Sequence, residues 1–254
     1  DIHAGGMDLK FPHHENEIAQ SEAATGKQFV NYWMHNGHVE IDSEKMAKSI
    51  GNFFTIREII SRDSSSRRMG EVIRFMILTS HYRSPLNYSE GALLKARASL
   101  TRLYRVLDKI DDFDIRDQQI YKSEYCKAFH SAMADDFNTV EAISILFSLA
   151  KETNRLWDNN QREEALVLGR QLSLLGGILG LLYQGPRSFL TGLDEADESE
   201  RSIDVLWIEK RVNERLAARR EGDWEEADHI REELQNLGVV LEDKSDGTTL
   251  WRID

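Results

Sequence analysis

Apolar residues recur along this chain in three different patterns. Over residues 1–89 they are broken up by glycine, histidine and aromatic residues. Asp1-Ile-His-Ala-Gly-Gly reads as a strand end that enters a glycine turn. Pro12 suits the first turn of a helix, and His13 to Ala24 follow with helical spacing. Gly37-His-Val-Glu-Ile-Asp42 alternates as a short strand does. Thr55 is placed to cap a helix through Ile60, with Glu58 as its capping-box partner. A further helix through Val72, Phe75, Met76 and Leu78 is expected to end near His81-Tyr-Arg-Ser-Pro85.

From about 90 to 184 the period becomes helical throughout. Leu93, Ala96, Leu100, Leu103 and Leu107 fall three and four apart. Tyr125, Phe129 and Met133 recur by fours and stop before Asp135-Asp-Phe-Asn-Thr139, where Asn138 or Thr139 is placed to cap the next helix. That helix runs through Ala142, Ile145, Leu146 and Leu149, and a last one is expected from Ala165 to Leu182. This is the pattern of an antiparallel helix bundle. Residues 185–203 lose periodicity and become small and acidic, as a linker does. Beyond them, 204–254 predicts two helices, about 205–220 and 223–237, stopped by Gly238. Val239–Asp243 and Thr248–Ile253 then flank a turn as a hairpin. The expected class is mainly α.

Composition narrows this picture. The 254 residues are 41% hydrophobic and 30% charged, which is the profile of a folded soluble chain. No apolar run approaches the roughly 20 residues of a membrane span, and no secretory leader is visible. The single cysteine, Cys126, allows no internal disulfide and lies amid helical core spacing, so a structural role in a reducing, cytoplasmic setting is expected. Because the chain opens at Asp1 inside a motif-dense stretch, sequence upstream is expected to be missing. The formal charge of −12 argues against a general nucleic-acid binder.

Four motifs carry chemistry, and each has a plainer alternative. In Phe11-Pro-His-His-Glu-Asn-Glu17, His13 and Glu17 are four apart, so on a helix they share a face and supply half of a Zn²⁺ site. Otherwise they are polar residues of a helix start. Glu44-Lys-Met-Ala-Lys-Ser-Ile-Gly-Asn52 holds Lys45 and Lys48 in a loop, where ammonium groups stabilise charge on a phosphoryl oxygen, or else forms a solvated turn. Gly5, Gly6 and Asp8 allow close approach of a ligand and contact with ribose hydroxyls, or form a simple turn. Around a helix-turn-helix, Arg219, Trp224, Asp228 and Arg231 suit phosphate, base stacking and base edges. The alternative is a charged amphipathic helix with Trp224 in its core.

Together with Trp33-Met-His, His81-Tyr-Arg-Ser-Pro-Leu-Asn-Tyr-Ser89, Asp135-Asp-Phe-Asn-Thr and Gly238-Val-Val-Leu-Glu-Asp, these motifs closely resemble the cysteinyl-tRNA synthetases, class I aminoacyl-tRNA synthetases. The resemblance covers essentially the whole chain but only the family's C-terminal half. It implies that residues 1–89 are the C-terminal remnant of a Rossmann-type nucleotide-binding catalytic domain with a KMSKS-type loop. It makes 90–184 a bundle of the DALR type and 204–254 a small anticodon-binding domain, joined by the 185–203 linker.

The implied reaction activates L-cysteine with ATP and Mg²⁺ and transfers it to the tRNA 3′ end. Lys48 then contacts ATP, with Lys45 as its partner, and Ala47 stands where the family signature has its first serine. Gly5, Gly6 and Asp8 line the adenylate pocket. His13 and Glu17 are two of four ligands to a Zn²⁺ that binds the substrate thiolate. Arg219, Trp224, Asp228, Arg231 and Asp243 contact the anticodon. The family's H-I-G-H signature and its two cysteine zinc ligands do not occur in this sequence, so the chain alone is expected to be inactive. The resemblance further implies a monomer with no membrane partner. Two alternatives stand beside it. One is a non-catalytic tRNA-binding module. The other is the related ligase that joins cysteine to an amino sugar in mycothiol synthesis, which has no anticodon domain.

Overall fold

The computed structural model describes residues 1–41, 44–45, 55–110, 123–192, 205–244 and 248–253. The chain opens with strand β1 (Ile2–Gly6), a tight turn at Met7–Leu9 and a wide helical turn at Lys10–His14. Helix α1 (Glu15–Thr25) then crosses to β2 (Tyr32–Asn36), which pairs with β1 in parallel from Ile2↔Tyr32 to Gly6↔Asn36. This is a β-α-β unit, because parallel neighbours need a crossover. A second small sheet orders β4 (Glu44–Lys45), β3 (Val39–Ile41) and β5 (Leu86–Tyr88), with β3 and β5 parallel.

Between those strands lie α2 (Ile56–Ile60) and α3 (Ser66–Leu78). The expected capping box is present: Glu58 N–H donates to Thr55 Oγ1 at 3.2 Å, and Thr55 N–H donates to Glu58 Oε2 at 2.7 Å. These bonds hold the Glu58 carboxyl below its ordinary pKa. Gly37 is fixed by close approach. A Cβ there would strike the backbone of Ser84, in the turn whose Tyr82 carbonyl accepts from Gly37 N–H at 2.8 Å.

The bundle comprises α4 (Glu90–Asp108), α5 (Glu124–Ala134), α6 (Thr139–Asp158) and α7 (Arg162–Ile178). Ser89, Ser123 and Asn138 cap α4, α5 and α6 through side-chain oxygens that accept from the third residue on. Leu100, Leu103, Phe129, Leu146, Leu149 and Leu172 are fully buried in one core that also takes Val72, Phe75 and Met76 from α3. Cys126 belongs to it.

Two expectations need correction. The last bundle helix stops at Ile178 rather than Leu182. Gly180 and Leu182 adopt positive φ (67° and 58°), and Leu181 and Leu182 fold back into the core. Their apolar character therefore outlasts the helix. The stretch 185–203 is not a bare linker along its whole length. Pro186–Thr191 form α8, where buried Phe189 stacks on Tyr104 with ring centroids 4.0 Å apart.

The C-terminal part has its own core of Ile208, Val212, Ile230, Leu234 and Val239. It is built from α9 (Val205–Glu221), α10 (Trp224–Asn236) and an antiparallel hairpin of β6 (Val239–Asp243) and β7 (Thr249–Ile253). Gly238 ends α10 with φ +78°, a conformation that favours glycine. Among the described residues, no helix is long and apolar enough to cross a membrane.

Candidate metal centre and nucleic-acid interface

The first cluster forms where α1 leaves the wide turn beside β1 and β2. Ligand atoms of His3, His14 and Glu17 lie within 4.8 Å of one another. His3 Nε2 stands 2.8 Å from Glu17 Oε2. His14 Nδ1 and His35 Nε2 are 2.9 Å apart, within hydrogen-bond distance when one of the two nitrogens carries a proton. Trp33 stacks on His35 and borders both His3 and His14. Burial, then the neighbouring His14, holds the His35 imidazole below its ordinary pKa, so it favours the neutral, ligand-competent form.

Glu17 lies within this group, whereas His13 lies outside it. His13 is exposed and stands outside the converging group, while its neighbour His14 is buried within it. The i, i+4 rule assumes a regular helix through both positions. Here Phe11 is extended (φ −138°, ψ 134°) and the turn at Lys10–His14 is wide, so His14 turns inward instead. Sequence reasoning does not single out His3 and His35. The signal for them is weak: both lie on paired strands, at positions opposite Trp33 and Gly5.

Two imidazoles and a carboxylate suit Zn²⁺ or a similar borderline cation. One observation beyond composition supports that fit. Glu17 Oε2 is buried against His3 Nε2 at 2.8 Å, which brings two potential ligand atoms together.

The groups that approach Gly5 and Gly6 closely belong to this chain. A Cβ on Gly5 would lie 2.9 Å from His14 Cε1, and one on Gly6 would strike Asp8 Oδ1. Lys45 sits in β4 opposite Glu40 by backbone pairing. Its side chain, and all of Ala47 and Lys48, lie outside the described residues.

The second cluster is on α9, α10 and β6. Arg215 is 5% exposed, and its two Nη groups donate to Asp243 Oδ1 and Oδ2 at 2.8 and 2.9 Å. Arg219, one helical turn on, reaches Asp243 Oδ2 at 2.7 Å, and Thr249 Oγ1 donates to Oδ1 at 2.6 Å. These donors, the Arg215 guanidinium foremost, hold the Asp243 carboxyl far below its ordinary pKa. Trp224 opens α10 and is 62% exposed, so it is not the core residue of the plainer alternative. Asp228 and Arg231 are exposed on α10. Of the expected set, the structure brings Arg219 and Asp243 into direct contact. Sequence reasoning misses Arg215, although it lies four residues before Arg219 on the same helical face.

Comparison with known proteins agrees with this order of parts. A family model described as "tRNA synthetases class I (C) catalytic domain" matches residues 1–98. "DALR domain" matches 128–184, and "Cysteinyl-tRNA ligase anticodon binding domain" matches 212–252. The three matches, in that order, mark the chain as part of a class I aminoacyl-tRNA synthetase.

Within that class the relatives are specific. The chain is 51% identical over 254 residues to the cysteine–tRNA ligase of Alkalilimnicola ehrlichii, covering 99% of this chain and 52% of that protein. It is 52% identical over 252 residues to that of Thioalkalivibrio sulfidiphilus, with the same coverage. The chain belongs to the cysteine–tRNA ligase family and spans about half the length of the curated relatives it matches. The LeuRS chain of a LeuRS–tRNA–LeuAMS ternary complex from Agrobacterium radiobacter K84 shares the fold. It aligns at TM-score 0.52 and 18% identity over 71% of this chain and 25% of that one.

Proposed function

We propose that this chain supplies the tRNA-reading part and the lysine-loop part of a cysteine–tRNA ligase. The whole enzyme would activate L-cysteine with ATP and Mg²⁺ and transfer it to its tRNA. The observation that carries the reading is the C-terminal unit. A solvent-facing Trp224 stands on a unit where Arg215 and Arg219 grip Asp243, and the anticodon-binding match covers the same residues. Trp224 offers a face for base stacking, while Arg219, Asp228, Arg231 and Asp243 offer donors and acceptors to base edges and phosphates. The same unit disfavours the amino-sugar ligase, which would not need it.

At the other end, His3, His14 and Glu17 would hold a Zn²⁺. When bound, such an ion takes up a substrate thiolate far better than a hydroxyl, which gives selectivity for cysteine over serine. The chain's own groups prepare the site. The contact between His14 and His35 orients both rings, and Trp33 packs against them. In the lysine loop, Lys48 would stabilise charge on the ATP phosphates, with Lys45 beside it. Gly5, Gly6 and Asp8 are proposed to border the adenylate. A soluble, monomeric protein of the cytoplasm is part of this reading.

The test uses the 254-residue chain. It is expected to bind a cysteine-tRNA transcript and to show no ATP–pyrophosphate exchange by itself. Binding that ignores the anticodon would contradict the proposed role of the C-terminal unit.

A further inference from the structure

A cleft of about 550 Å³ separates the bundle from the C-terminal hairpin. One wall is a single face of α4, because Leu94, Arg97, Thr101, Arg102 and Arg105 recur at helical spacing. The facing wall is the hairpin, through Val240, Glu242, Leu250, Trp251 and Arg252. Arg68, Phe189 and Leu190 contribute the remainder. Five arginines and one carboxylate therefore line a cleft in a chain whose net charge is −12.

Three of these arginines, Arg68, Arg97 and Arg105, are paired with carboxylates. Asp63 serves two cations at once, at 2.8 Å from Arg68 and 3.0 Å from Arg97. Arg105 reaches across the cleft to Glu242 at 2.6 Å, yet its Nε is buried with no acceptor. Arg102 is exposed. It donates to Ser99 Oγ at 3.3 Å and lies over the Phe147 ring at 5.1 Å, and among the described residues it has no carboxylate partner. Arg102 and Arg105 are three apart on one helix, where like charges disfavour each other.

Positive charge above an apolar floor, in a groove of this size, suits the phosphodiester backbone of a nucleic acid. The cleft is also joined to the proposed anticodon surface. Glu242 stands in its wall, and the next residue on β6, Asp243, holds Arg215 and Arg219. We propose that this cleft is a second RNA contact, at which Arg102 and Arg252, supported by Arg97 and Arg105, neutralise backbone phosphates of the tRNA. The proposal rests on the tRNA reading of the C-terminal unit and extends it to groups that carry no base specificity.

The experiment measures binding of a labelled cysteine-tRNA transcript to the 254-residue chain between about 50 and 200 mM salt. The double variant Arg102→Ala/Arg252→Ala is expected to bind about tenfold or more weakly at the low-salt end. Its slope of log affinity against log salt should be shallower by about 1–2, close to one unit for each phosphate no longer neutralised. Arg102→Lys/Arg252→Lys should retain most of the slope, and an unchanged circular dichroism spectrum shows that either variant is folded. Wild-type affinity and slope in the folded alanine variant would overturn the proposal. So would loss of inorganic tripolyphosphate binding with tRNA binding intact, which would mark a small-anion site. If Trp224→Ala weakens binding while the cleft variants do not, the anticodon reading stands and this one falls. Absence of any tRNA binding by the wild type overturns both.

Discussion

Glu71 and Asp243 each gather several donors from distant parts of the chain, but their surroundings make them opposites. Glu71 is fully buried. It accepts from Tyr104 Oη at 2.9 and 3.0 Å, from Leu182 N–H at 2.6 Å and from Gln184 Nε2 at 2.6 Å. Burial dominates, so the Glu71 carboxyl is pushed above its ordinary pKa and the Tyr104 phenol is pushed up as well. Asp243 is partly open to water and faces two guanidinium groups, so its carboxyl is pushed down. The first arrangement ties α3, α4 and the segment after α7 into one body. The second leaves charged groups at the surface, where a ligand can exchange with them. A polar cluster closed to solvent organises the scaffold, whereas one half open to it is fit for recognition.

The largest expected effect is at the closed cluster. Glu71→Ala leaves a hydroxyl, a backbone N–H and an amide without their acceptor, and should cost about 3–5 kcal/mol in urea denaturation. Tight tRNA binding by the folded fraction should survive. Asp243→Ala should cost the C-terminal unit about 2 kcal/mol, below the value of a fully buried pair because the carboxylate is partly exposed. Hydrogen exchange in α9 and α10 would localise that loss, and tRNA affinity should fall with it. Trp224→Ala should leave the denaturation midpoint unchanged and weaken tRNA binding by about 1–2 kcal/mol, the range of one base stack. A shifted midpoint would return Trp224 to the core.

Acid sharpens the contrast with the smallest effect. A raised carboxyl pKa, as at Glu71, contributes stability at acid pH that is lost as pH rises through the folded value. A depressed one, as at Asp243, contributes stability above its unfolded value that is lost as pH falls toward the folded value. Acidification from neutrality should therefore spare or strengthen the contacts of Glu71, although Asp136, its carboxyl pKa held down to about 2 by Arg83 and Tyr82 at the edge of the bundle, follows Asp243. The C-terminal unit should loosen once the pH drops below about 4, near the unfolded carboxyl value. Hydrogen exchange resolved by segment would show this order, and simultaneous loosening of both regions would break the comparison.

Local features of this fold are legible in the sequence. The Thr55–Glu58 capping box, the Asn138 cap, the stop at Gly238 and the hairpin after it depend on neighbours within a few positions. Features set by distant contacts are not. Phe189 reads as part of a loop until Tyr104 gives it a stacking partner. Leu182 continues a helical period, yet its N–H is taken by Glu71, 111 residues earlier. The cluster of His3, His14 and Glu17 is half legible for the same reason. Glu17 follows from its helix, but whether His13 or His14 faces it depends on a distorted turn held against β1 and β2. Arg215 looks like any basic residue of α9 until the hairpin brings Asp243 to it.

The C-terminal unit of this chain is proposed to read a tRNA anticodon. The direct measurement compares binding of the 254-residue chain to two cysteine-tRNA transcripts, one with its native anticodon and one with that triplet replaced. A preference for the native anticodon of about tenfold or more is expected, equivalent to a single base contact of about 1–3 kcal/mol, and it should disappear in Trp224→Ala. Equal affinity for the two transcripts would contradict it.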